Sequence, residues 1–175
     1  MAIEVEIRTF ISPETYLQLI KFFTQQGTLI NTDKQETHYL DAGQDLRIQK
    51  NNFYSKIWLK KGEMHSEQRE EIEIKFPKEE FVNLELLFKT LGYSTTIKWF
   101  RERHTFLWDG ITIMLDSTKG YGYILELEKM STLEEQDKDL LDLKSKLISL
   151  GINLTPKEEF DLRYKYYKDN WHNLV

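Results

Sequence analysis

Charged and apolar residues alternate with period two in one segment after another, and this feature limits the fold of the chain more than any other. Successive side chains of a strand leave opposite faces. Ile3, Val5 and Ile7 therefore share one face and Glu4, Glu6 and Arg8 the other. Arg69, Glu71, Glu73 and Lys75 fall together opposite Ile72, Ile74 and Phe76, and Arg101 shares a face with Arg103. Glu126 and Glu128 oppose Leu125 and Leu127, while Arg47 and Lys60 are cations with apolar neighbours. The pattern predicts strands over about 3–10, 35–41, 45–51, 54–61, 68–76, 98–107, 111–116 and 122–129.

Helices punctuate the strands. Ser12-Pro13 reads as an N-cap followed by a first-turn proline, with Gly27 at the far end. A second helix is expected from about Lys78 to Leu91, before Gly92. Thr132 to Glu135 and Thr155 to Glu158 both read as capping boxes, and Asp109-Gly110 and Asn51-Asn52 as hairpin turns. So many strands joined by short turns predict an α+β fold, a single closed antiparallel β-barrel of about eight strands with helices packed outside. With no linker or repeat, residues 1–175 read as one domain.

Solvated charge is the ordinary explanation for any one such strand. It fails for the set, because paired carboxylates recur. Two like charges ~4 Å apart at an effective dielectric near 20 cost about 4 kcal/mol, which is too much to repeat without cations among them. The opposite faces are apolar enough to pack against helices, so the charged faces are expected inside the barrel. A charged interior needs a guest. Carboxylates hold a hard cation through oxygen, and guanidinium groups grip phosphate oxygens, so a metal–polyphosphate complex satisfies both.

Composition narrows the setting. A net charge of -5 argues against a protein that coats nucleic acid. No apolar run approaches the roughly 18 residues of a membrane span, and the absence of cysteine fits a cytoplasmic protein. A monomer or a homodimer is expected.

The motifs resemble those of the CYTH, or triphosphate tunnel, superfamily, which covers class IV adenylyl cyclases, thiamine triphosphatases and inorganic triphosphatases. Glu4-Val5-Glu6-Ile7-Arg8 resembles its ExExK opening, and Leu46-Arg47-Ile48 with Leu59-Lys60 its "LRxR … LK" hairpin. Arg69 to Glu73 is similar to "RxExE", and Arg101 to Phe106 to "KxRxxY". Asp116, Gly120, Gly122, Glu126 and Glu128 follow the closing pattern. The resemblance implies that Glu4, Glu6, Asp116, Glu126 and Glu128 face Mg²⁺ or Mn²⁺. It implies that Arg8, Arg47, Lys60, Arg69, Arg101 and Arg103 hold phosphate; Lys75, on the face of Arg69, joins this set. Lys157 or Arg163 would supply a basic residue from the last helix. Catalysis would fall to Glu4, Glu6, Glu126, Glu128 and Arg8, acting on a small triphosphate. Hydrolysis leads, with conversion of ATP to cyclic AMP, or binding without turnover, as alternatives.

Two positions depart from the pattern: Arg8 stands for Lys, and Gln49 for the second Arg of "LRxR". His38, His65, His104 and His172 lack metal-ligand spacing and are expected in surface or packing roles. Gly120-Tyr121-Gly122 lacks the Gly-Lys-Ser/Thr run of a phosphate loop. Tyr164, Tyr166, Tyr167 and Trp171 are expected to pack a terminal helix across the barrel, and Lys34, Lys50, Lys56 and Lys61 to be exposed.

Overall fold

The computed structural model describes residues 3–61 and 70–175. Among these, β1 (Ile3–Ile11), α1 (Pro13–Gln26), β2 (Thr28–Leu40), β3 (Asp45–Lys50), β4 (Tyr54–Lys61) and β5 (Glu70–Pro77) come first. A 3-10 turn (Lys78–Glu80), α2 (Phe81–Thr90), β6 (Thr95–Trp108), β7 (Ile111–Thr118), β8 (Gly122–Ser131), α3 (Gln136–Ser149) and α4 (Lys157–Leu174) complete the order. The strands form one antiparallel sheet in the order β1-β8-β7-β6-β2-β3-β4-β5. The sheet curls until its terminal strands, β1 and β5, line the same cavity. Among the described residues no backbone ladder joins these two strands.

The apolar faces point outward beneath helices. Val5, Ile7, Ile113, Leu115, Leu125 and Leu127 are buried against Tyr16, Leu19 and Phe23 of α1 and Leu143 and Leu147 of α3. Ile48 and Leu40 pack under Phe81 and Leu84 of α2. The third helix layer differs, because α4 reaches the inner face. Tyr167 and Trp171 pack on Ile97 and Trp99, with Tyr39, Tyr121 and Tyr164 around them, so α4 covers one end of the barrel. Tyr166 stays exposed.

Local signals are obeyed unevenly. Ser12 caps α1 through its Oγ, which accepts the Thr15 N–H at 3.1 Å. Asp109 and Gly110 both take positive φ, as a two-residue hairpin turn requires. Neither expected capping box forms. Helix α3 starts four residues after Thr132, with no side-chain cap. Thr155 is diverted: its Oγ1 lies 2.8 Å from Thr9 Oγ1 and accepts the Phe10 N–H at 2.9 Å. A contact to β1 replaces the cap, and α4 begins unaided after Pro156. Strand β2 begins seven residues earlier than expected: Asn31 to Thr37 is polar throughout and shows no alternation, and a bulge lies between Leu29 and Asn31.

Candidate active site

Inward side chains line a cavity of about 390 Å³. It shares Glu6, Arg8, Arg47, Lys60, Arg101 and Glu126 with a smaller chamber of about 80 Å³, which Phe160 and Tyr164 of α4 also line.

One wall is acidic. Antiparallel pairing of β1 and β8 sets Glu6 opposite Glu128 and Arg8 opposite Glu126. Glu4, Glu6 and Glu128 each offer a carboxylate oxygen, and the three atoms lie within 4.8 Å of one another. Burial, and then Glu126, push the Glu6 carboxyl up to about 7. Burial, with Glu4, Glu126 and Glu6 nearby, pushes Glu128 up to about 8. Glu4 is also raised, by burial and then by Glu71 across the cavity. Crowded, half-buried carboxyls of this kind favour either protons or a cation. As an all-oxygen anionic set they fit a hard divalent ion.

The facing wall is basic and pre-ordered. Arg103 donates from Nε to Asp116 Oδ1 and from Nη2 to Oδ2, both at 2.7 Å, and Arg101 Nη1 donates to Oδ2 at 3.0 Å. Burial alone would raise the Asp116 carboxyl, but the two arginines hold it below the usual range. Arg101 Nε also donates to Gln35 Oε1 at 2.8 Å. Arg47 makes a two-point contact to Asp45 at 2.6 and 2.7 Å, with its guanidinium 4.3 Å from the Tyr39 ring centre. Lys60 pairs with Glu71, and Arg8 lies over Phe160.

The cavity thus gathers Glu4, Glu6, Arg8, Arg47, Lys60, Arg101, Arg103, Glu126 and Glu128, with Asp116 lining the smaller chamber. The five expected metal-facing carboxylates divide. Glu4, Glu6 and Glu128 converge, Glu126 lies 3.5 Å from Arg103, and Asp116 is taken up by two arginines. Lys75 stands at the rim, exposed, 3.2 Å from Glu73 and over the Tyr54 ring. Lys157 is exposed at the start of α4 and does not line the cavity. Arg163 bonds Glu159 and covers Phe10. Arg69 and His65 lie outside the described residues.

Several lining residues escaped the sequence reading. Asp33 lies before the expected start of β2, and Gln35 is a neutral residue at that start, in a run of polar residues with no apolar alternation. Lys56, expected to be exposed, points inward with its side chain only 16% exposed, 2.6 Å from Glu73 and over Trp58. Its even spacing from Lys60 is the signal that could have found it. Gln49 is buried and donates to Thr37 Oγ1 at 2.9 Å, so a neutral contact occupies that position. The described histidines serve packing: His38 is buried between Glu36 and Glu85, His104 meets the Tyr16 hydroxyl, and His172 lies against Trp171. No described helix is long and apolar enough to cross a membrane.

Known proteins resemble this chain in sequence and fold. The family model described as CYTH domain matches residues 2–157. A Methanocaldococcus jannaschii protein named "Putative adenylate cyclase" is 28% identical over 174 residues, covering 92% of this chain and 98% of its own. Among solved structures, the PH1819 protein of Pyrococcus horikoshii superposes with a TM-score of 0.74 at 20% identity, covering 92% of this chain and 99% of its own. A Hippeastrum protein, described as a "Putative adenylyl cyclase" that reveals a dominant triphosphatase activity, gives 0.66 at 19% identity, covering 94% and 96%. These two structural likenesses establish the fold. The family match, spanning most of the sequence and all eight strands, goes further: the chain belongs to the CYTH domain family.

Proposed function

We propose that the protein hydrolyses a small triphosphate with the help of a divalent metal ion, Mg²⁺ or Mn²⁺. The observation that carries this reading is the convergence of Glu4, Glu6 and Glu128 in the same cavity as Arg8, Arg47, Lys60, Arg101 and Arg103. The three carboxylates would hold the ion, which when bound supplies charge neutralisation at the phosphate oxygens. The arginines and Lys60 bind and orient the phosphates, and Asp116 holds Arg101 and Arg103 so that little side-chain freedom is lost on binding. Glu126, 3.5 Å from Arg103 on the same strand as Glu128, would orient a water and take its proton. The α4 aromatic layer shields the smaller chamber from bulk water.

The test is a panel of tripolyphosphate, ATP and thiamine triphosphate with each metal, resolving orthophosphate, pyrophosphate and cyclic AMP. Orthophosphate without cyclic nucleotide is expected, with pyrophosphate as its co-product from tripolyphosphate and the diphosphate from the other two substrates. Pyrophosphate with cyclic AMP would establish the second reading, an adenylyl cyclase, which the name of the archaeal relative favours. Glu6→Gln and Glu126→Gln should each abolish turnover, and Arg47→Ala should chiefly weaken substrate binding. Normal turnover in both glutamine variants would refute the metal and water assignments.

A further inference from the structure

We infer that Lys56 is a phosphate-contacting residue held in reserve by Glu73, and that substrate entry exchanges the Glu73 carboxylate for a phosphate oxygen. This rests on the triphosphate reading above and adds to that site a residue to which the comparisons give no role.

Three observations converge on Lys56. It lines the larger cavity beside Lys60, on the same face of β4. A lysine this enclosed is unusual unless its charge is matched. Burial pulls the Lys56 ammonium below its ordinary range, with Glu73 opposing. Its neighbours also leave the wall short of positive charge. The residue directly across β3 is Gln49, neutral and committed to Thr37. Lys60 stands at the Asp45 end of this hairpin, and at the Gln49 end Lys56 is the cation that lines the cavity.

The pairing is built for exchange. Glu73 holds Lys56 through Oε2 at 2.6 Å and Lys75 through Oε1 at 3.2 Å. When Lys56 turns to a phosphate, Glu73 keeps a cation and is not left as an isolated half-buried charge, the main cost of breaking such a pair. The Trp58 ring, 4.3 Å from the Lys56 Nζ, offers that ammonium a second attractive surface while it moves. No bond is made or broken; one ionic contact replaces another.

The two partners should therefore respond in opposite directions. Binding of tripolyphosphate with Mg²⁺ is measured by calorimetry on the full chain, independently of turnover. Lys56→Met should weaken binding roughly tenfold to a hundredfold, the value of a charge-assisted hydrogen bond. Lys56→Arg should restore most of it. Glu73→Gln should leave binding unchanged or tighten it, because the competitor for Lys56 is removed. Lys34→Met, on an exposed side chain outside the cavity, should match the parent protein. Wild-type affinity in Lys56→Met, or equal weakening by Lys56→Met and Glu73→Gln, overturns the inference and marks the pair as structural. A parent protein that binds without hydrolysis refutes the hydrolase reading while leaving this test in force; a parent that does not bind overturns both.

Discussion

Arg103 and Asp116 face each other across the β6–β7 ladder and are joined by two parallel hydrogen bonds of 2.7 Å. Asp116 is almost fully buried, and its second oxygen also accepts from Arg101. Its work is to hold two cations at fixed positions. Asp116→Ala leaves both guanidiniums without their carboxylate in a confined space. Urea unfolding should show a loss of about 3–5 kcal/mol, the usual cost of removing one partner from a buried pair. A loss below about 1 kcal/mol would mean that the arginines find other partners.

The acidic wall predicts an unusual pH dependence for metal-free protein. Glu6 and Glu128 have carboxyls raised to about 7 and about 8, against an ordinary 4.5. The folded state thus prefers them protonated. Their contribution is fully present below the ordinary value and is lost as pH rises through the folded values. In the presence of chelator, stability should fall between about pH 4.5 and 8, by at most about 1.4 kcal/mol per pH unit for each group. Burial disfavours the charged form of His38, so in the acid part of this window its contribution has the opposite sign. Urea midpoints across the window supply the check. Glu128→Gln should flatten the slope, and Mg²⁺ should stabilise more at the alkaline end.

Gly120 is expected to be intolerant of any side chain. Its φ is +72°, and an added Cβ would lie 2.5 Å from Leu174 Cβ and 2.8 Å from the Leu174 carbonyl oxygen. Gly120→Ala therefore combines backbone strain with displacement of the end of α4. The expected loss is about 1–3 kcal/mol. Faster proteolysis within the last helix should accompany it, and unchanged protease resistance would count against the close packing.

Thr155 separates two accounts of the same residue. As a helix cap, its loss would lower helix content; as the partner of Thr9 and Phe10, its loss would orphan a strand N–H. Thr155→Val should cost about 1–3 kcal/mol in unfolding experiments. Far-UV circular dichroism of the folded protein should not change. A clear drop in helical signal would restore the capping account.

The parity of short strands made much of this architecture readable. In β1 and β8 the alternation is uninterrupted, so Glu4, Glu6, Glu126 and Glu128 could be assigned to one face directly, and the pairing in the structure sets them side by side. Where alternation is broken the reading failed. The polar run from Asn31 to Thr37 gave Asp33 and Gln35 no apolar partner face to be read against, and Lys56 passed for a surface lysine because charge by itself does not reveal direction. The division of the carboxylates was beyond sequence altogether. Asp116 and Glu128 share charge and strand chemistry, and their difference arises from which arginines the neighbouring strand brings opposite them. Capping signals misled for a related reason: a threonine offers one hydroxyl, and Thr155 spends it on a distant strand.

The unladdered gap between β1 and β5 has a consequence for the girth of the tunnel. Seven ladders fix the spacing of the strands elsewhere, whereas Glu4 and Glu71 repel each other across this gap and Lys60 draws them together. Neutralising Glu4 and Glu71, by protons or by a cation, removes the repulsion across this seam.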